Sequence, residues 1–312
     1  MKIGLDIMGG DFAPKATVLG AIAAYNSFSP GQTLVLIGDK DQAVSLLQEN
    51  DFNPNCFEFI HTTEVIGMGE HPTKAVVQKP GSSISLGFKL LKEGAIDAFS
   101  SAGNSGAMLV GAMFSVKAIP GVLRPAITSI VPKLSKGLGI LVDVGANADC
   151  KPEYLLQFGV LGSLFAQHVY HIAAPRVGLI NIGEEEEKGN ILCQAAFPLM
   201  KDTSLFNFVG NIEGRDMFAD KADVLVCDGF TGNVILKLAE TFYDITHDKG
   251  IKDDFFDKFN YEQYGGSPIL GVNAPVVVGH GISTPEAIKN MVLLSKHMVE
   301  SALVDKIKLA FQ

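Results

Sequence analysis

Glycine, asparagine and lysine gather at the ends of short apolar runs in this sequence, and these are the residue types that hold anions. The turns read Ile7-Met8-Gly9-Gly10-Asp11, Ala102-Gly103-Asn104-Ser105-Gly106, Asp143-Val144-Gly145-Ala146-Asn147, Asn181-Ile182-Gly183-Glu184, Cys227-Asp228-Gly229-Phe230-Thr231-Gly232-Asn233 and Gly279-His280-Gly281. A strand-like run feeds each of them, and most open into a helical run. Backbone N–H groups at a helix start, with the positive end of the macrodipole behind them, attract negative charge. In an open α/β sheet, ligands bind outside the carboxyl ends of the strands. The six junctions therefore predict a polar crevice suited to an anion, with phosphate the first candidate.

Within that crevice the Asn104, Ser105 and Gly106 turn is the first anion site, although the same residues would also make an ordinary capped helix start. Thr231, Gly232 and Asn233 repeat the design. Lys237 stands one turn further on, where an ammonium can neutralise phosphate as a point charge. Lys188 follows the run Glu184–Glu187 and precedes Gly189-Asn190, which reads as a third helix start; the glutamates read as a solvated face. Arg215 lies among turn residues from Asn211 to Asp216, where its fork could grip an oxyanion or pin the loop through an ion pair. His280, between two glycines, and Asp228 are the candidates for moving a proton.

Nothing in the sequence supplies a convincing nucleophile. A GxSxG elbow is missing, and Cys150 and Cys227 read as buried small hydrophobes. Neither HExxH nor a compact His/Asp cluster points to a metal, and the phosphate-binding GxxxxGK[ST] and dinucleotide GxGxxG patterns are missing too. Such a crevice suits a substrate that brings its own nucleophile, as phosphate does when it attacks an activated acyl group. The protein would hold the two reactants in line and stabilise the oxyanion with amide donors from Asn147, Asn233 or nearby backbone.

These turns need rigid elements behind them. Strand-like runs at Lys2–Asp6, Thr33–Ile37, Phe57–Ile60, Asp97–Ser101, Ala126–Val131, Gly139–Val142, Arg176–Ile180 and Ala222–Cys227 alternate with helical runs, which predicts a mainly parallel sheet covered by helices. Helices are expected from Pro14, Asp39, Ser82, Ser105, Pro152, Asn190 and Gly232, with a final one over Pro285–Leu309. The 312 residues, 47% hydrophobic and 19% charged, can fill one large α/β domain or two lobes. The expectation adopted is a single α/β domain over residues 1–312 with a helical protrusion at about 243–266.

A net charge of −9 without a Lys/Arg tract excludes general nucleic-acid binding. Four widely spaced cysteines give neither a disulfide framework nor a zinc site. The opening Met1-Lys2-Ile3-Gly4 passes straight into a strand, so no signal peptide is expected, and without a stretch of about eighteen apolar residues no membrane span is expected. The composition is that of a cytoplasmic protein.

Taken together, the motifs resemble one family. Asp6–Asp11 with Ala13-Pro14, Ser101–Ala107, Asp143–Asn147 leading to Asp149–Pro152, Asn181–Glu185 through Lys188–Asn190, Gly210–Asp216, Cys227–Asn233, and Gly271-Val272-Asn273 with Gly279–Gly281 are its signatures, in order along nearly the whole chain. The chain is similar to phosphate acyltransferases of the PlsX type, which make acyl phosphate from acyl-acyl carrier protein and inorganic phosphate. The resemblance implies a Rossmann-like three-layer α/β/α sandwich, related to isopropylmalate dehydrogenase and phosphotransacetylase. It also implies a homodimer without metal or organic cofactor, and peripheral contact with the inner face of the cell membrane and a glycerol-3-phosphate acyltransferase there. One segment departs from the pattern: between Lys237 and Tyr264 the chain is short and acidic, with Asp244, Asp248, Asp253, Asp254 and Asp257. An acidic carrier protein needs a basic rim, expected at Lys117, Arg124, Lys133 and Lys136. Other readings of the same crevice are a coenzyme A-dependent phosphotransacylase, a nicotinamide dehydrogenase and a non-catalytic carrier-binding scaffold.

Overall fold

The computed structural model describes residues 1–135 and 137–312. Along the chain run β1 (Lys2–Asp6), α1 (Lys15–Tyr25), β2 (Thr33–Gly38), α2 (Lys40–Glu49), β3 (Glu58–His61), α3 (Pro72–Gln78), α4 (Ser83–Lys92), β4 (Ala98–Ser101) and α5 (Ser105–Gly111). Then come β5 (Ala126–Pro132), β6 (Leu138–Val142), α6 (Pro152–His168), β7 (Arg176–Asn181), α7 (Ile191–Lys201), β8 (Asn207–Glu213), β9 (Val224–Val226) and α8 (Gly229–Asp248). The chain ends with β10 (Ser267–Leu270), β11 (Val276–Val278), α9 (Pro285–Glu300) and α10 (Leu303–Ala310). The fold is α/β with mainly parallel strands and flanking helices, as the alternating pattern predicts. The contacts divide the chain into two compact units, residues 1–118 with 261–300 and residues 119–260 with 301–312.

In the first unit the strands run β3-β2-β1-β4-β11-β10, parallel except for the β10–β11 pair. Strands β1, β4 and β11 are almost wholly buried, as strands covered on both faces are. Helix α1 packs with α2 and α9, and α4 packs with α5 and against β1 and β4. Side chains set the helix starts: Asp39 caps α2 through Asp41 and Gln42 N–H, and Asn104 caps α5 through Ala107 N–H.

In the second unit the order is β5-β6-β9-β7-β8, parallel except for β5–β6. Helix α6 packs against β6, β9, α7 and α10, while α8 packs against β5 and β6. Pro152 opens α6 at a position where a missing N–H leaves nothing unpaired. Phe259 is buried among the rings of Phe218, Phe242 and Phe255, so Phe255 and Phe259 pack within this unit.

Several elements differ from expectation, and strands β10 and β11 and helix α3 were not expected at all. The last helix is two, broken at Ala302 with φ +50°; α9 packs on α1 and α10 on α6. Asn211–Glu213 completes the edge strand β8 instead of opening a turn. Asparagines at 207 and 211 and a bulge beside Gly210, φ +93°, hide that strand's alternation. Helix α8 begins at Gly229, three residues early, because Asp228 is its cap.

Candidate active site

At the second unit's carboxyl edge, the parallel strands β6, β9, β7 and β8 deliver their following loops to one side of the sheet. Those loops carry Asn147, Asp228, Lys188 and Arg215, and the first turn of α8 carries Thr231–Asn233, so the candidates of this unit lie along one edge of its sheet. Their side chains divide into two groups.

The first group is engaged inside the protein. Asp228 accepts the Thr231 N–H at 2.9 Å and its hydroxyl at 2.7 Å, which makes the pair a helix cap. The Asn147 amide donates to Pro125 O at 2.9 Å and to Asp143 at 3.0 Å, so both of its N–H bonds are committed to the loop. Arg215 is ion-paired with Glu213, and exposed Lys237 with Glu240 at 2.8 Å. Gly232 is where the helix meets the loop, since a Cβ there would lie 1.9 Å from Asp143 O.

The second group faces outward. Asn233 and Lys188 are exposed, and among the described residues neither side chain makes a hydrogen bond or ion pair. Asn233 lies beside the turn at Gly145, whose added Cβ would stand 3.6 Å from Asn233 Oδ1. Lys188 precedes Gly189-Asn190, and Asn190 caps α7 through Cys193 N–H at 2.9 Å. A cation and an amide left without protein partners at the carboxyl edge of a parallel sheet can bind and polarise an oxyanion.

The nearby thiols are poor nucleophiles. Cys227 is buried, and its burial holds the thiol far above the usual value. Burial, together with the Asp143 charge, pushes Cys150 up to about 12. Cys227 matches the expectation of a buried small hydrophobe, whereas Cys150 is half-buried. Glu184, Glu213 and Asp216 lie close enough to share a cation, but Lys221 bridges Glu184 and Asp216 at 2.7 and 2.8 Å.

In the first unit the loops after β1, β4 and β11 share the corresponding edge. Asn104 is turned inward: its carbonyl caps α5 and its amide N–H groups reach Gly67 O, Met68 O and Glu70 O at 3.0–3.1 Å. Ser105 is exposed at the first turn of α5, and Gly106 packs on Pro72. His280 is half-buried against the Tyr261 ring, 5.1 Å between centroids.

The basic rim differs from expectation. Lys133 is buried and paired with Asp223, and with Asp220 at 3.3 Å, so it is closed to a carrier protein. Lys136 lies outside the described residues. Lys117 and Arg124 are exposed.

Residue type and spacing did not mark two buried aspartates, Asp6 in the first unit and Asp143 in the second. Each ends an apolar strand and feeds its carboxylate to the loop that follows. Asp6 accepts Met8 N–H at 2.9 Å and the Ser101 hydroxyl at 2.6 Å. Asp143 accepts Ile127 N–H at 2.8 Å and Asn147 N–H at 2.6 Å. Burial pushes both carboxyls above the ordinary value despite these bonds. A signal for them does exist in the sequence: an aspartate closing an apolar run directly before a Gly/Asn turn, twice.

Comparison with known proteins decides the family. The chain matches the family model described as "Fatty acid synthesis protein" over residues 1–249. It is 41% identical to a phosphate acyltransferase of Dictyoglomus turgidum, covering 98% of this chain and 96% of that one. It is 43% identical to a phosphate acyltransferase of Desulforamulus reducens, over 99% and 96%.

The chain belongs to the phosphate acyltransferase family.

It is therefore an enzyme, a phosphate acyltransferase of the fatty-acid synthesis family. Its fold is that of a phosphotransacetylase from Streptococcus pyogenes, with TM-score 0.66 at 15% identity over 96% of this chain and 94% of that one. The EutD phosphotransacetylase from Staphylococcus aureus gives 0.64 at 17%, over 96% and 94%. Among the described residues no helix is long and apolar enough to cross a membrane.

Proposed function

We propose that this phosphate acyltransferase takes a fatty acyl group from acyl-acyl carrier protein and delivers it to inorganic phosphate, releasing acyl phosphate for phospholipid synthesis. The observation that carries the reading is the pair Lys188 and Asn233, exposed at the carboxyl edge of β7 and β9 and without partners among the described residues. A phosphate oxygen attacks the thioester carbonyl carbon and a C–O bond forms. Charge gathers on the carbonyl oxygen, where the Asn233 amide donates to it, and Lys188 holds the phosphate. Collapse breaks the C–S bond, and the thiolate leaves and takes a proton from solvent. The high thiol values at Cys150 and Cys227 support direct attack over an acyl-enzyme. Arg215 and Lys237 stand as surrounding positive charge in this reading.

The same family reading gives a homodimer that passes its product to a membrane-bound glycerol-3-phosphate acyltransferase. Exposed Phe230, Val234, Leu238 and Ile245 form an apolar row along α8 that supports such a partner contact.

The test is thiol release from long-chain acyl-acyl carrier protein with and without phosphate, the product being trapped with hydroxylamine. Phosphate-dependent release with trapped acyl phosphate is expected. Release only from a coenzyme A thioester would replace the donor, and silence with both would overturn the reading.

A further inference from the structure

Asn233 and Gly145 come from distant parts of the chain yet lie side by side, with the added Cβ of Gly145 within 3.6–3.8 Å of the Asn233 side chain. The loop that holds Gly145 is almost fully bonded. Asp143 N–H donates to Cys227 O and Val144 N–H to Ile127 O, both at 3.0 Å, while Ala146 and Asn147 N–H donate to the Asp143 carboxylate at 3.3 and 2.6 Å. Only the Gly145 N–H lacks an acceptor in this loop among the described residues. Gly145 itself is exposed with φ +115°, a conformation that side chains rarely adopt.

One carboxylate organises this arrangement. Fully buried, it also receives Ile127 N–H from β5 at 2.8 Å and the Asn147 amide at 3.0 Å. The first turn of α8 is built onto the same group. Gly229 N–H donates to Asn147 O at 2.7 Å, and a Cβ at Gly229 would lie 2.7 Å from Asp143 Oδ2. The helix that carries Asn233 and the turn that carries Gly145 are thus both set by Asp143.

We infer that Asp143 is a positioning residue for acyl transfer: its carboxylate fixes the 143–147 turn against α8 so that the Gly145 N–H and the Asn233 amide form a pair of donors for the oxygen that gains charge. This rests on the proposed reaction. Asparagine at this position would keep the volume but present an NH₂ where the carboxylate accepts N–H groups. The donors would then shift without the site being emptied, and misplacement of about 1 Å costs on the order of 10²-fold in rate.

The experiment is a double-mutant cycle on the full chain, with Asp143→Asn, Asn233→Ala and the double variant, each checked by thermal melting. The proposal expects Asp143→Asn to lower kcat by about 10²-fold, with the KM for the acyl donor unchanged. In the Asn233→Ala background the same change should have almost no further effect, since the donor it aims has gone. Equal losses in both backgrounds, or a loss confined to melting temperature, would overturn the positioning role. Should Asp143→Asn not fold, Asn147→Ala removes one bond to the carboxylate and is expected to give a smaller kcat loss with the same non-additivity; additivity there overturns the role too. Wild-type protein without phosphate-dependent turnover overturns the reaction instead, so the two failures are distinguishable.

Discussion

The two edges of the second unit's sheet treat charge in opposite ways. At the amino edge, Asp223 precedes β9 and meets Arg176 Nε at 3.0 Å and buried Lys133, every partner supplied by the chain. At the carboxyl edge, Lys188 and Asn233 stand exposed with no partner among the described residues, and buried Asp143 is satisfied by neutral N–H groups. The aspartates record the difference. Burial drives Asp223 upward, but hydrogen bonds from Arg176 and Lys133 outweigh it and hold the carboxyl far below the ordinary range. Among the described residues Asp143 has no cation against it, and burial wins. A charged cluster satisfied by its own fold serves stability, whereas polar groups left unsatisfied at a strand's carboxyl end serve a ligand.

That contrast is broken most directly at the amino edge. Asp223→Ala leaves Lys133 buried without its main counter-charge, and removing one partner of a buried pair costs about 3–5 kcal/mol. Urea unfolding should show that loss, while turnover per folded molecule stays near wild type. A variant as stable as wild type would mean that the network holds nothing together.

Asn233→Ala should do the reverse. Loss of one oxyanion donor typically lowers kcat by roughly 10²–10³-fold, about 2.7–4 kcal/mol of transition-state stabilisation, with an unchanged melting curve. Lys188→Ala should raise the KM for phosphate. Near-normal kinetics in both variants would remove the assignment of this edge as the site.

Acid sharpens the comparison further. A depressed carboxyl such as Asp223 contributes stability that is complete above its unfolded value, near 3.8, and is lost as pH falls through that value towards the folded one. Asp143 has the opposite sign. Its folded value is raised, so its contribution is full below 3.8 and declines as pH rises through the folded value. Stability measured against pH should therefore lose its acid-side slope in Asp223→Asn and keep it in Asp143→Asn. Identical profiles would show that the two aspartates do not titrate as described.

The smallest effect concerns Cys150. With its thiol pushed up to about 12, it should react slowly with iodoacetamide near neutral pH in the folded enzyme. Rapid labelling, read by mass spectrometry, would reopen an acyl-enzyme route.

Much of the fold was legible because strands such as β2, β6 and β9 are nearly unbroken apolar runs, and a short apolar run that stops at a Gly/Asn turn marks a buried strand and its end. Strand β8 was not, since edge strands need not alternate cleanly and its bulge breaks the period. The site was legible by residue type and poorly legible by role. Asn104 and Asn233 are the same side chain at similar junctions, yet one is locked to three carbonyls and the other is exposed beside Gly145. Lys133 looked like surface charge because a partner 90 residues away is invisible to local pattern.

The sequence by itself determined the α/β class, the turns that end the strands, the inert cysteines and the family, because periodicity, turn chemistry and motif order are written locally. The tertiary structure decided which polar groups are satisfied. Hydrogen bonds and ion pairs join residues far apart in the chain, and a buried donor or charge is stable only where its partner arrives. That is why Lys133 belongs to the scaffold while Lys188 and Asn233 remain available to a ligand.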